Sequence, residues 1–582
     1  MSWLLALLVS AMSVFCSFSG AVFAQDTILN RSVTVEREFH PIIQSAGKLT
    51  TTPAALEPSY EPAQVTYSDY TEVLAPSFNT TSLLSQTQRF TAPKPLHGYI
   101  RGALGHPWTQ FDFTYRVDDG KNSIVDLFAH HNAQWGSRTI SATNLGFDFQ
   151  HPFSRATVYM DLKGANLFYT MPGKDDSRQI SWEAEFKLGV KAAKKEDFQY
   201  NVSVGYFMIH LPAVVDEHQL RTHIHLEYAG SAHHGGIHIA LQNNFILPDE
   251  VAWQGFQNTY ILSTGRPEQT HNHRHSLKME PFYAYYGRRF TIHAGVNVDL
   301  VFGKGSLMTN NQAIALAPSP NIRFEAQIAQ SWLTLYGDIK GRFTNASEQA
   351  WLYENLFYSG LVSVGSKHVG AYTPVDGTIG FHIKPQKWLL LELHGGYALQ
   401  LNQSTIYASQ PLAGDKTVGW FDHLYHDYQR VKVGAAMSFH YQDIVAIHLW
   451  GDYYGWKRMY ILDKNETGIY NCTLATNIPT TIGRVYDRPD WEVGLRVDGR
   501  VNQNWSLFLD SHFAGGRWAL AYDGDHRLKP TLDINLGCQY DWVEKNLAFF
   551  LYLNNLIHRY NDLYYAYDSM GINGVIGCSW RF

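Results

Sequence analysis

Charge is scarce in this chain. Asp, Glu, Lys and Arg make up 17% of its 582 residues, against about 25% in an ordinary soluble domain. The formal net charge of -6 is spread over the whole length, and no basic block is present, so nothing argues for a nucleic-acid partner. Cysteine is scarcer still, with Cys16, Cys472, Cys538 and Cys578 alone. Only the last three follow the leader described below, an odd and sparse set that makes no disulfide framework. Cys538 and Cys578 read as small residues filling strand positions, with another strand between them. After the leader there is no apolar run of about 18 residues or more, so no transmembrane helix is expected.

Aromatic residues and glycine are plentiful instead. Tyr (35), Phe (32) and Trp (16) together reach 14%, Gly numbers 46, and yet the mean hydropathy is only -0.24. Many aromatics, few charges and middling hydropathy suit a β-barrel with an apolar outside and a polar inside. A large secreted β-protein is the competing class.

The chain opens on a targeting segment. Trp3 to Phe15 form an apolar run, and Val22-Phe23-Ala24 before Gln25 reads as a small-residue cleavage site, which makes residues 1–24 a signal peptide. Its first residues lack Lys or Arg, and Phe15 before Cys16 argues against a lipoprotein site. The exported chain then has only a barrel with which to span a membrane. Residues 25–95 hold seven of the 22 prolines, with frequent Thr and Ser, and read as an extended periplasmic or lumen-lying arm.

From about residue 96 the pattern turns to period two and stays there to 582. In 182–190 one face reads Trp182, Ala184, Phe186, Leu188, Val190, and the other Glu183, Glu185, Lys187, Gly189. In 290–300 Phe290, Ile292, Ala294, Val296, Val298 and Leu300 oppose Thr291, His293, Gly295, Asn297 and Asp299. Many such runs reach about 9–11 residues, the length that crosses a bilayer at a tilt, whereas sandwich strands are about 5–6. Glu183, Glu185, Lys187, His293, Asn297 and Asp299 are therefore candidate lumen-facing residues.

Short turns are expected at 118–120, 151–155, 192–197, 230–235, 286–289, 329–331, 385–387, 441–443, 501–504 and 543–546. Long polar loops are expected near 246–274, 342–375, 401–427 and 457–489. Ten short turns with an N-terminus entering from the same side give about 22 strands. The expected fold is all-β, a transmembrane antiparallel barrel of the Gram-negative outer membrane, facing lipid.

The chain ends on Gly577, two intervening residues, Trp580 and then Phe582. This resembles the terminal signal that the barrel-assembly machinery reads, although Val575 stands where a polar residue is usual. The plainer reading is a last strand with aromatic membrane-facing residues.

A barrel of this size without a soluble domain looks like a TonB-dependent receptor. Leu553-Asn554-Asn555-Leu556-Ile557-His558-Arg559-Tyr560 and the closing strand resemble that family's last hairpin, with the Asn-Leu to Tyr spacing one residue short. Val33-Thr34-Val35-Glu36-Arg37-Glu38-Phe39-His40-Pro41, Tyr60-Glu61-Pro62 and Gly98-Tyr99-Ile100-Arg101-Gly102 resemble a Bacteroidota group of TonB-dependent-receptor-like barrels. The resemblance implies solute uptake and a TonB partner. It also implies a globular plug of well over a hundred residues before the barrel, for which the arm has no room and none of the glycine-rich arginine motifs. Val33, Thr34 and Val35 read either as a TonB-box-like strand that adds to a partner's sheet or as an ordinary β-prone stretch.

No enzyme is expected, since no G-x-S-x-G or comparable nucleophile signature appears. No cofactor fingerprint or zinc pair appears either. His271, His273 and His275 would share one face of an extended strand, an arrangement open to a transition metal, but histidines of a polar loop are the plainer reading. The same holds for His223 with His225 and for His233 with His234. Two functions stay open. One is a receptor or channel whose lumen is filled by the arm and infolded loops. The other is a plug-less scaffold or accessory subunit of an envelope complex for biogenesis or secretion.

Overall fold

The computed structural model describes residues 97–582 apart from several inter-strand stretches, the longest being 249–273, 303–313, 353–369 and 475–483. The leader 1–24, the arm 25–95 with Val33, Thr34 and Val35, and His271 and His273 lie outside the described residues.

The chain forms a closed antiparallel barrel. Its main sheet has 24 strands. Two of these, Trp518–Ala521 and Gly524–Arg527, form a side hairpin, which leaves 22 in the wall. Each wall strand pairs with its neighbours in sequence. The circle closes where Gly98–His106 meets Asn573–Arg581, with Tyr99 opposite Arg581 and His106 opposite Gly574. Closure gives every wall strand a paired neighbour on each side.

The period-two pattern is what makes these strands. Along Arg178–Ala192, Trp182 is 50% exposed, Phe186 40% and Leu188 48%. Such apolar exposure runs right round the barrel, from Phe111 and Leu145 through Val296 and Leu393 to Trp542 and Ile576. A band this wide on a folded chain marks an apolar surrounding. The alternate residues form the inner wall, where polar groups satisfy one another. Arg221 Nη1 lies 3.8 Å from Glu185 Oε1, and Lys187 Nζ lies 3.9 Å from Asp161 Oδ2.

All ten expected short turns fall between strands that pair antiparallel at one end of the barrel, although those at 118–120, 192–197, 329–331 and 441–443 lie partly outside the described residues. Gly230 N–H donates to His233 O at 3.0 Å, Gly287 N–H to Phe290 O at 2.9 Å, and Asn546 N–H to Val543 O at 3.2 Å. Asn546, at φ 51°, and Gln442, at φ 50°, take the left-handed conformation that tight reversals need. The expected loop at 401–427 is different. Leu389–Pro411 and Val418–Tyr441 are strands of 23 and 24 residues, paired well beyond the wall. The polar run there pairs its backbone instead of looping, with Ser404 opposite Tyr425 after an irregularity between Gln400 and Gln403. The loop expected at 342–375 is likewise shortened, since strands run to Asn345 and resume at Gly370.

Gly577 sits at the closing seam for a steric reason. A Cβ there would lie 2.4 Å from Gly102 O and 2.4 Å from the Phe550 ring. Phe550 is 3% exposed and carries the Arg101 guanidinium 4.2 Å above its ring centroid.

Candidate functional site

The strand Val215–Ala229 places Glu217, Gln219, Arg221, His223, His225 and Glu227 on the inner wall by simple alternation. Toward the short-turn end these form a histidine–carboxylate cluster. The His225 and His238 rings stack at 4.1 Å. Glu227 lies 3.1 Å from His225 Nε2 and 2.6 Å from His234 Nδ1. Among the described residues, no three His, Cys, Asp or Glu side chains are grouped to hold a metal ion.

Toward the long-loop end the same strand meets a segment that comes from farther round the wall. Glu217, Gln219 and Asn244 are all 0% exposed. Glu217 Oε1 accepts from Gln219 Nε2 at 2.9 Å and from Asn244 Nδ2 at 3.0 Å. Its Oε2 accepts from Ser347 Oγ at 3.1 Å, and Gln219 Nε2 also reaches Ser347 Oγ at 3.2 Å. Gln349 Nε2 donates to Glu183 Oε2 at 3.0 Å. Ser347 and Gln349 follow the strand Leu333–Asn345, which is five strands round the wall from Val215–Ala229 and seven from Arg178–Ala192. The segment therefore folds inward past five to seven of the 22 wall strands to make these hydrogen bonds.

An apolar cluster gathers around the same segment. Leu352, 1% exposed, packs with Tyr169, Ile209, Ile246, Ile406, Ala408 and Tyr567, all buried. These residues come from wall strands and long-loop segments on opposite sides of the barrel. Burying an aliphatic side chain of this size contributes about 1.5–3 kcal/mol. The side hairpin joins it. Leu520 pairs in parallel with Tyr407, and Ala521 with Ala408.

A strap at 484–490 fastens the hairpin. Asp487 N–H donates to Trp518 O at 2.7 Å, and the Arg484 guanidinium stacks 3.5 Å over the Trp518 ring. Asp525 accepts from Tyr486 OH at 2.6 Å and from Arg484 Nη1 at 3.2 Å. On the other side Arg517 donates to Asp562 O at 3.0 Å and Leu563 O at 2.7 Å. Burial pushes the Asp487 carboxyl up to about 7, against the opposing pull of Arg517 and Arg488.

The residues singled out from the sequence fall in three places. Glu183 holds Gln349, and Glu185 and Lys187 pair within the wall as described above. His293 Nε2 lies 4.0 Å from Glu280 Oε1, Asn297 Nδ2 donates to Gly341 O at 2.8 Å, and Asp299 is buried opposite Lys278. At the terminus, Gly577 is packed at the seam. Trp580 is exposed on the outer face, 4.7 Å from the Phe582 ring. Phe582 O accepts from His97 and Gly98 N–H, each at 2.8 Å. Of the histidines, His225 belongs to the inner cluster, His233 lies 2.6 Å from Tyr283 OH, and His275 Nδ1 lies 2.9 Å from Asn243 Oδ1.

Sequence reasoning did not single out Glu217, Gln219, Asn244, Ser347 or Gln349. Alternation marks the first three as inner-wall residues, but no local signal marks the last two.

No family model matches the sequence, and no curated protein is detectably similar to it. Solved structures are similar in fold. The copper transporter OprC is 11% identical with a TM-score of 0.61, over 84% of this chain and 80% of that one. A mutant form of the ferric enterobactin receptor PfeA of Pseudomonas aeruginosa is 9% identical with a TM-score of 0.61, over 85% and 81%. The FrpB iron transporter of Neisseria meningitidis is 8% identical with a TM-score of 0.61, over 84% and 82%. At this identity the likeness is one of fold, and it is the fold that the resemblance to TonB-dependent receptors implies: a closed antiparallel barrel with 22 strands in its wall.

Proposed function

We propose that the chain is an outer-membrane uptake barrel whose bore is closed by its own long-loop segments. The observation that carries this reading is the inward fold of the segment after Leu333–Asn345, whose Ser347 and Gln349 bond Glu217 and Glu183 on strands five and seven places round the wall. A lumen of this width must be filled to keep a membrane tight, and here the wall chain itself supplies filling. The continuous outer band of Trp, Phe, Leu and Val is then the lipid-facing surface. Gly577, Trp580 and Phe582 are its barrel-assembly signal, and residues 1–24 its signal peptide. Val33, Thr34 and Val35 form a strand offered to TonB or another envelope protein. The copper, ferric-enterobactin and iron proteins of the same fold support a metal-bearing or similarly sized solute.

Swelling of proteoliposomes containing the purified barrel tests the closure. Intact barrel should exclude sugars, and barrel with residues 346–352 replaced by a short glycine–serine linker should admit them. Equal exclusion by both would sink the self-closed bore. The seven prolines of 25–95 favour a second reading, a scaffold or accessory subunit of an envelope complex, because an extended arm can lie across a partner. Purification in mild detergent with mass spectrometry separates the two. Stoichiometric envelope partners support the scaffold, and a solitary barrel counts against it.

A further inference from the structure

The inner wall holds a second cluster that the closure does not use. On the paired strands Val418–Tyr441 and Val445–Arg458, Tyr428 stands opposite Arg458 and Arg430 opposite Trp456. Alternation puts all four on one face. Arg430 is 7% exposed, Arg458 8% and Tyr428 1%. Arg488 of the strap adds a third cation, 6.0 Å above the Tyr428 ring.

Their hydrogen bonding is incomplete. Arg430 Nη2 bonds Asp376 Oδ1 at 2.7 Å, but its Nε has no partner among the described residues. Arg458 Nη1 caps Arg484 O at 3.1 Å, and its guanidinium lies 5.3 Å from the Tyr486 ring centroid. Its Nε and Nη2 have no partner, and no carboxylate pairs with it among the described residues. A buried guanidinium without an anion is costly. Its planar fork is shaped for a carboxylate or phosphate taken two bonds at a time. The nearby carboxylates are otherwise engaged. Asp376 holds Arg430, Asp452 is 3.5 Å from Lys432 Nζ, Asp427 Oδ1 accepts Asn402 N–H at 2.6 Å, and Asp525 holds Arg484 and Tyr486. Two bonds tie this patch to the strap: Arg458 to Arg484 O, and Trp456 Nε1 to Pro489 O at 2.9 Å.

We propose that Arg458 and Arg430, framed by Tyr428 and Trp456, form a subsite for an oxyanionic group, carboxylate or phosphate, of a solute entering from the long-loop end. The entry route rests on the uptake reading; the subsite itself does not. Anion and aromatic walls act together, since a planar ligand can stack while its charge engages the forks.

Calorimetric titration of the full-length, detergent-solubilised chain with citrate and, separately, with pyrophosphate at matched ionic strength tests it. At least one probe should bind saturably at one site, and which one tells carboxylate from phosphate. Arg458→Gln should weaken that binding at least tenfold, and Arg430→Gln severalfold. Arg116→Gln, at the exposed pair with Asp126, should change nothing. The subsite is overturned if neither probe saturates the wild-type chain. It is equally overturned if Arg458→Gln, still showing heat-modifiable gel mobility, binds as wild type. If that variant does not fold, Arg430→Gln decides in the same way. Swelling assays with the same probe keep the readings apart: binding without permeation sinks uptake and leaves the subsite, and permeation without binding does the reverse.

Discussion

Ser347 Oγ donates to Glu217 Oε2 at 3.1 Å from a segment five strands round the wall, although 130 positions separate the two in the chain. Both groups are buried, and Glu217 also accepts from Gln219 and Asn244. Glu217→Ala takes the acceptor from Asn244 Nδ2 and Ser347 Oγ and leaves Gln219 Nε2 with Ser347 Oγ, at about 1–3 kcal/mol for each group left unsatisfied. The apolar contacts of Leu352 persist, so the barrel should still assemble. In planar bilayers Glu217→Ala should conduct measurably more than wild type, and Glu217→Gln, which keeps an acceptor, should fall between. Equal conductance for all three would show that the clamp does not close the bore.

The seam glycines give a sharper contrast. Gly577→Ala forces a Cβ against Gly102 O and the Phe550 ring, and overpacking of this kind costs about 1–3 kcal/mol. A Cβ on Gly102 meets nothing within 4 Å. On heating in detergent, Gly577→Ala should lose its folded gel mobility several degrees below wild type, and Gly102→Ala should track wild type. A neutral Gly577→Ala would mean the seam relaxes around the added methyl.

How far this was legible follows from the range of each signal. Period two reports on a residue's own neighbours. It therefore separates Trp182, Phe186 and Leu188 from Glu183, Glu185 and Lys187, and it stops at each short turn. Turn positions then yield the strand total. Residues 401–427 misled because a polar composition resembles a loop, while the pairing of Ser404 with Tyr425 depends on a partner strand. The clamp was out of reach for a different reason. Glu217 and Gln219 look like any polar inner-wall pair, and only the returning segment, 128–130 positions away, distinguishes them.

The strap should respond to pH. In the folded chain burial raises the Asp487 carboxyl to about 7 from an ordinary 3.8, so the folded state favours its protonated form. That contribution is fully present below about pH 4 and is lost as pH rises through 7. Asp490, also raised by burial, acts with the same sign. Amide exchange at 484–490 should be slower at pH 5 than at pH 8 after correction for the intrinsic rate, and Asp487→Asn should flatten the difference. Greater protection at pH 8 would reverse the assignment and make the ionised carboxylate, held by Arg488 and Arg517, the stabilising form.

The side hairpin can also be locked to the wall. Ala408 and Ala521 are both 0% exposed and are paired across the parallel contact between a wall-strand extension and the side hairpin. Neighbouring strands are about 5 Å apart, within the Cα separation a disulfide spans. Ala408→Cys with Ala521→Cys, in a chain whose Cys472, Cys538 and Cys578 are replaced by serine, should therefore cross-link on mild oxidation. The adduct should run as a shifted band on a non-reducing gel. If solute passes the long-loop mouth by displacing the hairpin, the oxidised barrel should take up little or none, and reductant should restore uptake in the same vesicles. The single Ala408→Cys variant controls for the lost methyl packing. Undiminished uptake with the cross-link complete would place the route elsewhere, away from the hairpin and its pairing with Tyr407 and Ala408, and would leave the hairpin a purely structural element on a wall that conducts by another path.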